Sequence, residues 1–220
     1  MTGAASVVLS LNEVEQLCLK AARGAGMAWG LAEEAGFAAA WLAERGLDGP
    51  GALLRLVETD ASAAPPVMAP GQWHGAGGGS LCPILTGAAL GDFALLPAAA
   101  PGPMGLKIGP LRQVLLLLPF AWVFGAIHGK AVQVTLPGGS VLLQPTGAVS
   151  GDVGWFAATA LATVDITLQP AGAEGPALVP APCAVLPQTL AGLNRLALRT
   201  TVPPSATSRA GAGAEVDEND

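Results

Sequence analysis

A chain of 220 residues is long enough for one sizeable core, or for a small helical module on a larger body. Only 12% of its residues are charged and 51% are hydrophobic, against roughly 25% charged in an average domain. The net charge of −6 and the lack of any basic patch exclude nucleic acid as the expected partner, because phosphates demand clustered Lys and Arg.

Charge and proline divide the chain. Residues 1–60 carry 12 of the 26 charged residues, residues 61–202 carry nine and the last 18 carry five, whereas 18 of the 19 prolines fall between Pro65 and Pro204. Helices are therefore expected first, and strands and turns after them. Met1 to Ser10 has neither a basic region nor a long apolar run, so no secretory signal is expected and a bacterial-type cytoplasmic location is the expectation.

Ser10-Leu-Asn-Glu13 has the pattern of a capping box, and Leu11, Val14, Cys18 and Ala21/Ala22 follow at helical spacing. Lys20 and Arg23 suit the helix end, and Gly24 or Gly26 should stop it. A second helix is predicted from about Leu31 to Arg45, with Glu33 and Glu34 in its first turn and a stripe of Leu31, Ala35, Ala38 and Leu42. A third short helix is predicted over Gly51 to Val57. Thr59 to Pro83 turns to Ala, Pro and Gly and reads as a connecting loop.

Val114 to Ile127 is the most apolar run, but at 14 residues broken by Pro119 it falls short of the ~20 a span needs. It reads as buried core, so no membrane is expected as a partner; helix or strand stays open for 111–127 and 154–163. Lys130–Leu136 and Ser140–Gln144 flank Pro137-Gly-Gly139, a hairpin signal. Val164–Leu168 and Asn194–Thr200 alternate as strands, the second placing Arg195 and Arg199 on one face. From Val202 the chain reads as an unpacked tail with an acidic end, Glu215-Val-Asp-Glu-Asn-Asp220.

Chemistry is thinly spread. Cys18, Cys82 and Cys183 lack paired spacing, which excludes a disulfide framework and a sequence-readable zinc site and leaves three buried thiols. The glycine-rich run Gly71 to Pro83 gathers His74, Ser80 and Cys82, and its glycines would let amides converge on an anion. It matches no phosphate-loop spacing, and its plain reading is a linker. A nucleophile needs a base, so Cys82 or Ser80 with His128 is the candidate dyad, with His74 the other histidine. Asp92, Asp152 and Asp165 are the internal carboxylates; Asp152 is expected to cap a helix, and Asp165 to face solvent or Arg195. In the joint Lys20–Gly36, glycines permit helix ends and close crossing and Trp29 fills the corner, while Lys20 and Arg23 face the amide-rich start of the next helix, a favourable place for a carboxylate or phosphate that Glu33 and Glu34 at the same start would repel.

Ser10-Leu-Asn-Glu-Val-Glu15, Lys20-Ala-Ala-Arg-Gly-Ala-Gly26, Trp29-Gly-Leu-Ala-Glu-Glu-Ala-Gly36, Arg199-Thr-Thr-Val-Pro203 and Ser208-Arg-Ala-Gly-Ala-Gly-Ala214 together resemble a bacterial family known only as a domain of unknown function. The resemblance spans the whole chain, most closely at its two ends. It implies no activity, cofactor or catalytic residue, and it makes the small-residue, acidic C-terminal segment a recurring feature. Ala43-Glu-Arg-Gly-Leu-Asp-Gly-Pro-Gly51 is similar to the N-terminal region of the malate/L-lactate dehydrogenase family outside the Rossmann group. Gly49 and Pro50 stand where that family carries Ser and its catalytic His, so the likeness does not support hydride transfer.

The expected fold is α+β: an N-terminal helical module (1–60) packed on a β-rich, Pro/Gly-rich body (61–202) as one unit, followed by an acidic tail (203–220). The expected function is that of a cytoplasmic protein without catalysis of its own, a homo-oligomer or an accessory to a protein partner. The alternative is a small-molecule-binding protein or enzyme with a pocket between helices and sheet, touched by Arg23, Trp29, His74, Ser80 and His128. No cofactor is indicated and no metal site is expected.

Overall fold

The computed structural model describes residues 6–59, 65–172 and 183–201. The architecture is α+β. A short strand β1 (Val7–Leu9) leads into helix α1 (Leu11–Gly24), which opens on the expected capping box: the Glu13 amide donates to Ser10 Oγ at 3.2 Å and the Ser10 amide to Glu13 Oε2 at 2.7 Å. Val14, Cys18, Ala21 and Ala22 form its buried stripe. Helix α2 (Trp29–Glu44) begins two residues before the predicted Leu31, so Glu33 and Glu34 sit in its second turn, not its first. Helix α3 (Gly49–Thr59) follows Asp48, whose Oδ1 accepts from the Gly51 amide at 2.9 Å.

Small residues let these helices touch backbone to backbone. A Cβ on Gly36 would lie 2.8 Å from the Glu15 carbonyl oxygen, and one on Gly49 would lie 2.9 Å from the Ala39 Cα. One on Gly24 would overlap the Leu196 carbonyl oxygen of the last helix, α7 (Pro187–Ala197). Residues 183–201 thus return to the N-terminal helices, with α7 on α1 and α3 and strand β9 (Cys183–Val185) antiparallel to β1.

The remainder builds a seven-stranded mixed sheet. Its strands are β2 (Val67–Ala69), β3 (Gln72–His74), β4 (Leu106–Arg112), β5 (Ala131–Leu136), β6 (Gly139–Leu143), β7 (Val149–Gly151) and β8 (Leu161–Gln169), in the order β2-β3-β4-β8-β5-β6-β7. Only β3 and β4 run parallel, joined by helix α4 (Pro83–Phe93). One face is apolar, carrying Trp73, Leu106, Ile108, Val132, Val134, Val141, Val164 and Ile166, all buried, while Lys107, Thr135 and Asp165 stand exposed on the other. A 3-10 turn (Val114–Leu117) and helix α5 (Leu118–Ile127) cover that face, so the apolar run is buried core as expected. Among the described residues no helix is long and apolar enough to cross a membrane.

Several expectations are corrected. Thr59–Pro83 is more than a loop, since it contains the β2–β3 hairpin; residues 60–64 lie outside the described structure. Asn194–Thr200 is no strand: Pro187 starts a helix whose Thr189, Gly192, Leu193 and Leu196 are buried, and this three-to-four spacing overrides the local alternation. The 154–163 stretch divides into helix α6 (Val153–Ala158) and the start of β8. Asp152 stands at the α6 N-cap but its Oδ2 accepts from the Ser140 amide at 3.1 Å, tying the helix to β6 instead of capping it. Asp165 is exposed as expected; its cation is Lys107 at 3.8 Å, and Arg195 pairs with Glu58 at 2.8 Å. The acidic tail lies outside the described residues.

Candidate functional site

The glycine joint between α1 and α2 places its charged and aromatic side chains around one cleft. Arg23, in the last turn of α1, donates to the Met27 carbonyl, which fixes the joint, and its guanidinium lies 5.5 Å from the centroid of the Trp29 ring. The Trp29 indole N–H donates to Glu33 Oε1 at 2.9 Å, an i to i+4 contact that holds the ring at the helix start. Trp29 is nonetheless 62% exposed, which is unusual for the largest apolar side chain.

The opposite wall comes from the end of the described chain. After α7 a 3-10 turn (Leu198–Thr200) runs beside α1 and brings Arg199 and Thr200 to Gln16, Leu19 and Lys20. The resulting cleft, of about 470 Å³, is lined by Gln16, Leu19, Lys20, Arg23, Trp29, Arg199 and Thr200. Three of these are cations, and none of the described lining residues is acidic. Glu33 is engaged with the indole, and Glu34 points to a separate groove with Phe37, Gly91, Asp92 and Ile127. The residue before α2 is Ala28, which has no side chain to cap the first amides, so the positive end of that helix is uncompensated beside the cleft. Such a cleft can hold a carboxylate or phosphate, and Trp29 supplies a flat face for whatever carries it.

The other sequence candidates are dispersed. His74 is exposed on β3, paired with Val67 near the sheet edge. His128 directly follows α5, with Nδ1 2.7 Å from the Phe124 carbonyl oxygen and its ring edge-on to Phe124 at 4.6 Å. Cys82 is buried directly before α4, and Ser80 borders a shallow depression with Thr59, Arg112, Gln113 and Leu161. Helices α4 and α5 run side by side in one direction, since Gly87 abuts the Phe120 ring and Gly91 shares a groove with Ile127. Cys82 at one end and His128 at the other are therefore separated by a helix length, about 15 Å, which is too far for proton transfer. His74 is farther still: Trp73 is level with Ile108 and Val164, whereas His128 lies beyond the opposite end of β5, roughly 20 Å away by strand geometry.

All three thiols are buried, and the surroundings of two of them disfavour the reactive thiolate. Burial pushes the Cys18 thiol far up, with Cys183 and Asp48 adding to the effect, and burial raises Cys183 as well. The carboxyl of Glu34 is also held above its ordinary value, first by burial and then by Asp92 and Glu33. Among the described residues no group of three His, Cys, Asp or Glu side chains is arranged to hold a metal ion.

Residues 9–82 match a family model described as a protein of unknown function (DUF3726). The match covers about a third of the chain, from the end of β1 through α1, α2 and α3 to the residue before α4. It includes four cleft residues on α1 and Trp29 on α2, whereas Arg199 and Thr200 lie outside it. No curated protein and no solved structure matches the chain.

Sequence reasoning identified Lys20, Arg23 and Trp29 but not their wall. Arg199 was visible as one of two arginines on a supposed strand and as the start of Arg199-Thr-Thr-Val-Pro203, neither of which placed it beside Arg23. Its place beside Arg23 depends on the return of α7 to α1, which Gly24 permits by lacking a side chain.

Proposed function

We propose that the chain is a non-catalytic accessory protein that binds an anionic group, a carboxylate or a phosphate, in the cleft between α1, the start of α2 and the Leu198–Thr200 turn. The observation that carries this reading is the convergence of Lys20, Arg23 and Arg199 on an exposed Trp29. Exposed ion pairs contribute up to ~1 kcal/mol each, so three give a dissociation constant of several millimolar, roughly 6 mM, for a bare anion. A ligand with a flat or apolar body on Trp29 gains more, and binding weakens as salt rises. The test is a titration of intrinsic tryptophan fluorescence with inorganic phosphate and with citrate. Saturable change in the native protein, lost in Arg199→Glu and in Lys20→Glu, supports the reading. No change with either anion, or a change that both variants retain, overturns it.

The oligomeric form of the accessory reading draws on a different surface. Phe93, Leu95 and Leu96 at the end of α4, and Ile127 at the end of α5, are all exposed apolar side chains. We propose that this surface pairs with a second copy or a protein partner. Sedimentation well above 21.8 kDa, reduced by Leu96→Lys, supports self-association, and a monomer at all concentrations rules it out.

A further inference from the structure

We infer that the acidic segment of this chain, Glu215–Asp220, competes for the cationic cleft of its own molecule, so that the anion site proposed above is regulated from within. The inference rests on that reading of the cleft and adds an occupant to it. Three observations support the occupant. Residues 202–220 are joined in sequence to Thr201, which directly follows Arg199 and Thr200 on the cleft wall, so the acidic segment is tethered to the site. Residues 203–220 carry Glu215, Asp217, Glu218 and Asp220 against Arg209 alone, a net charge of −3 that opposes the three cations of the cleft. The fifteen positions from Thr200 to Glu215 can span about 50 Å when extended, more than enough to turn back on Lys20 and Arg23.

Tethering sets the strength of the effect. A segment joined to the wall of its site acts at an effective concentration of about millimolar. Set against an intrinsic dissociation constant of the same order, this weakens an external anion by about twofold. The device is a competitor and not a block: a ligand with added contacts to Trp29 displaces it, and high salt releases it.

The experiment uses the full chain and a full-length variant in which Glu215→Gln, Asp217→Asn, Glu218→Gln and Asp220→Asn are combined. The probes are inorganic phosphate and a synthetic peptide of residues 212–220, both followed by tryptophan fluorescence. The expected result is an about twofold tighter phosphate affinity in the tail-neutral variant, and peptide binding to that variant which Arg199→Glu abolishes. Equal phosphate affinity in both proteins overturns the tail inference while leaving the anion site standing. Absence of phosphate and peptide binding in both proteins overturns the site itself, and the inference with it.

Discussion

Replacing Gly24 by alanine should destabilise the protein although alanine is the better helix former. Gly24 is the last residue of α1, and a Cβ there would overlap the Leu196 carbonyl oxygen of α7, a backbone atom that cannot rotate away. Intrinsic propensity favours alanine by ~1 kcal/mol, whereas forcing packed elements apart costs about 1–3 kcal/mol or more. Backbone contact puts Gly24 at the upper end of that cost, for a net loss of about 2 kcal/mol. In a chain of this size that corresponds to a fall in Tm of roughly 4–8 °C. Gly30 is the internal control: it lies in the first turn of α2 with nothing within 4 Å of the position a Cβ would take. Gly30→Ala should therefore raise Tm by about 1–3 °C, through propensity and a restricted unfolded chain. Differential scanning calorimetry of both variants decides the matter. Equal shifts of the same sign would refute the claim that Gly24 is selected by the return of α7. A second consequence follows: by displacing Arg199, Gly24→Ala weakens anion binding, and Gly30→Ala does not.

Three other outcomes follow from particular contacts. Arg45, its side chain 9% exposed, stacks 3.6 Å over the Trp41 ring and donates to the carbonyls of Gly147 at 3.1 Å and Trp41 at 2.8 Å. Arg45→Met keeps bulk but strands both acceptors, so urea denaturation should show a loss of about 2–4 kcal/mol. Glu34 has its folded-state carboxyl raised, so its contribution is fully present below the ordinary value of 4.5 and is lost as pH rises through the folded value. Glu34→Gln should accordingly stabilise the protein near neutrality and lose that advantage by about pH 4, which thermal melts across pH will check. Because Cys18, Cys82 and Cys183 are all buried, a thiol-reactive chromogen near pH 8 should find no fast-reacting group in the native protein and three in denaturant. A single fast native thiol would contradict the inert reading.

The α+β class and the first helices were legible because their signals are local. The Ser10 and Glu13 pair forms the capping box it spells, and the Pro137-Gly138 turn, with Gly138 at φ +97°, closes the β5–β6 hairpin with Leu136 opposite Gly139. The misreadings occur where two periods compete or where an element is too short to have one. Asn194 to Thr200 alternates over a few residues, yet Leu193 and Leu196 belong to a helical stripe that begins at Pro187. Strands β2 and β3 are three residues each, and their pairing depends on β4, more than thirty positions later. The candidate site was half visible for the same reason. Lys20, Arg23 and Trp29 are neighbours in sequence, whereas Arg199 and Thr200 reach them only through the packing of α7 on α1 and α3. Nothing local marked His74, Cys82 and His128 as distant from one another; α4, α5 and the strand order set that distance.

The cleft itself is tested most directly by following the Trp29 indole N–H and the Arg23 and Arg199 Nε–H signals by nuclear magnetic resonance during a phosphate titration of the full chain. The account predicts that all three move saturably with one common affinity while the exposed Trp155 indole, which donates to the Pro137 carbonyl at 3.0 Å, stays fixed. Static Trp29, Arg23 and Arg199 signals, or equal movement at Trp155, would contradict it.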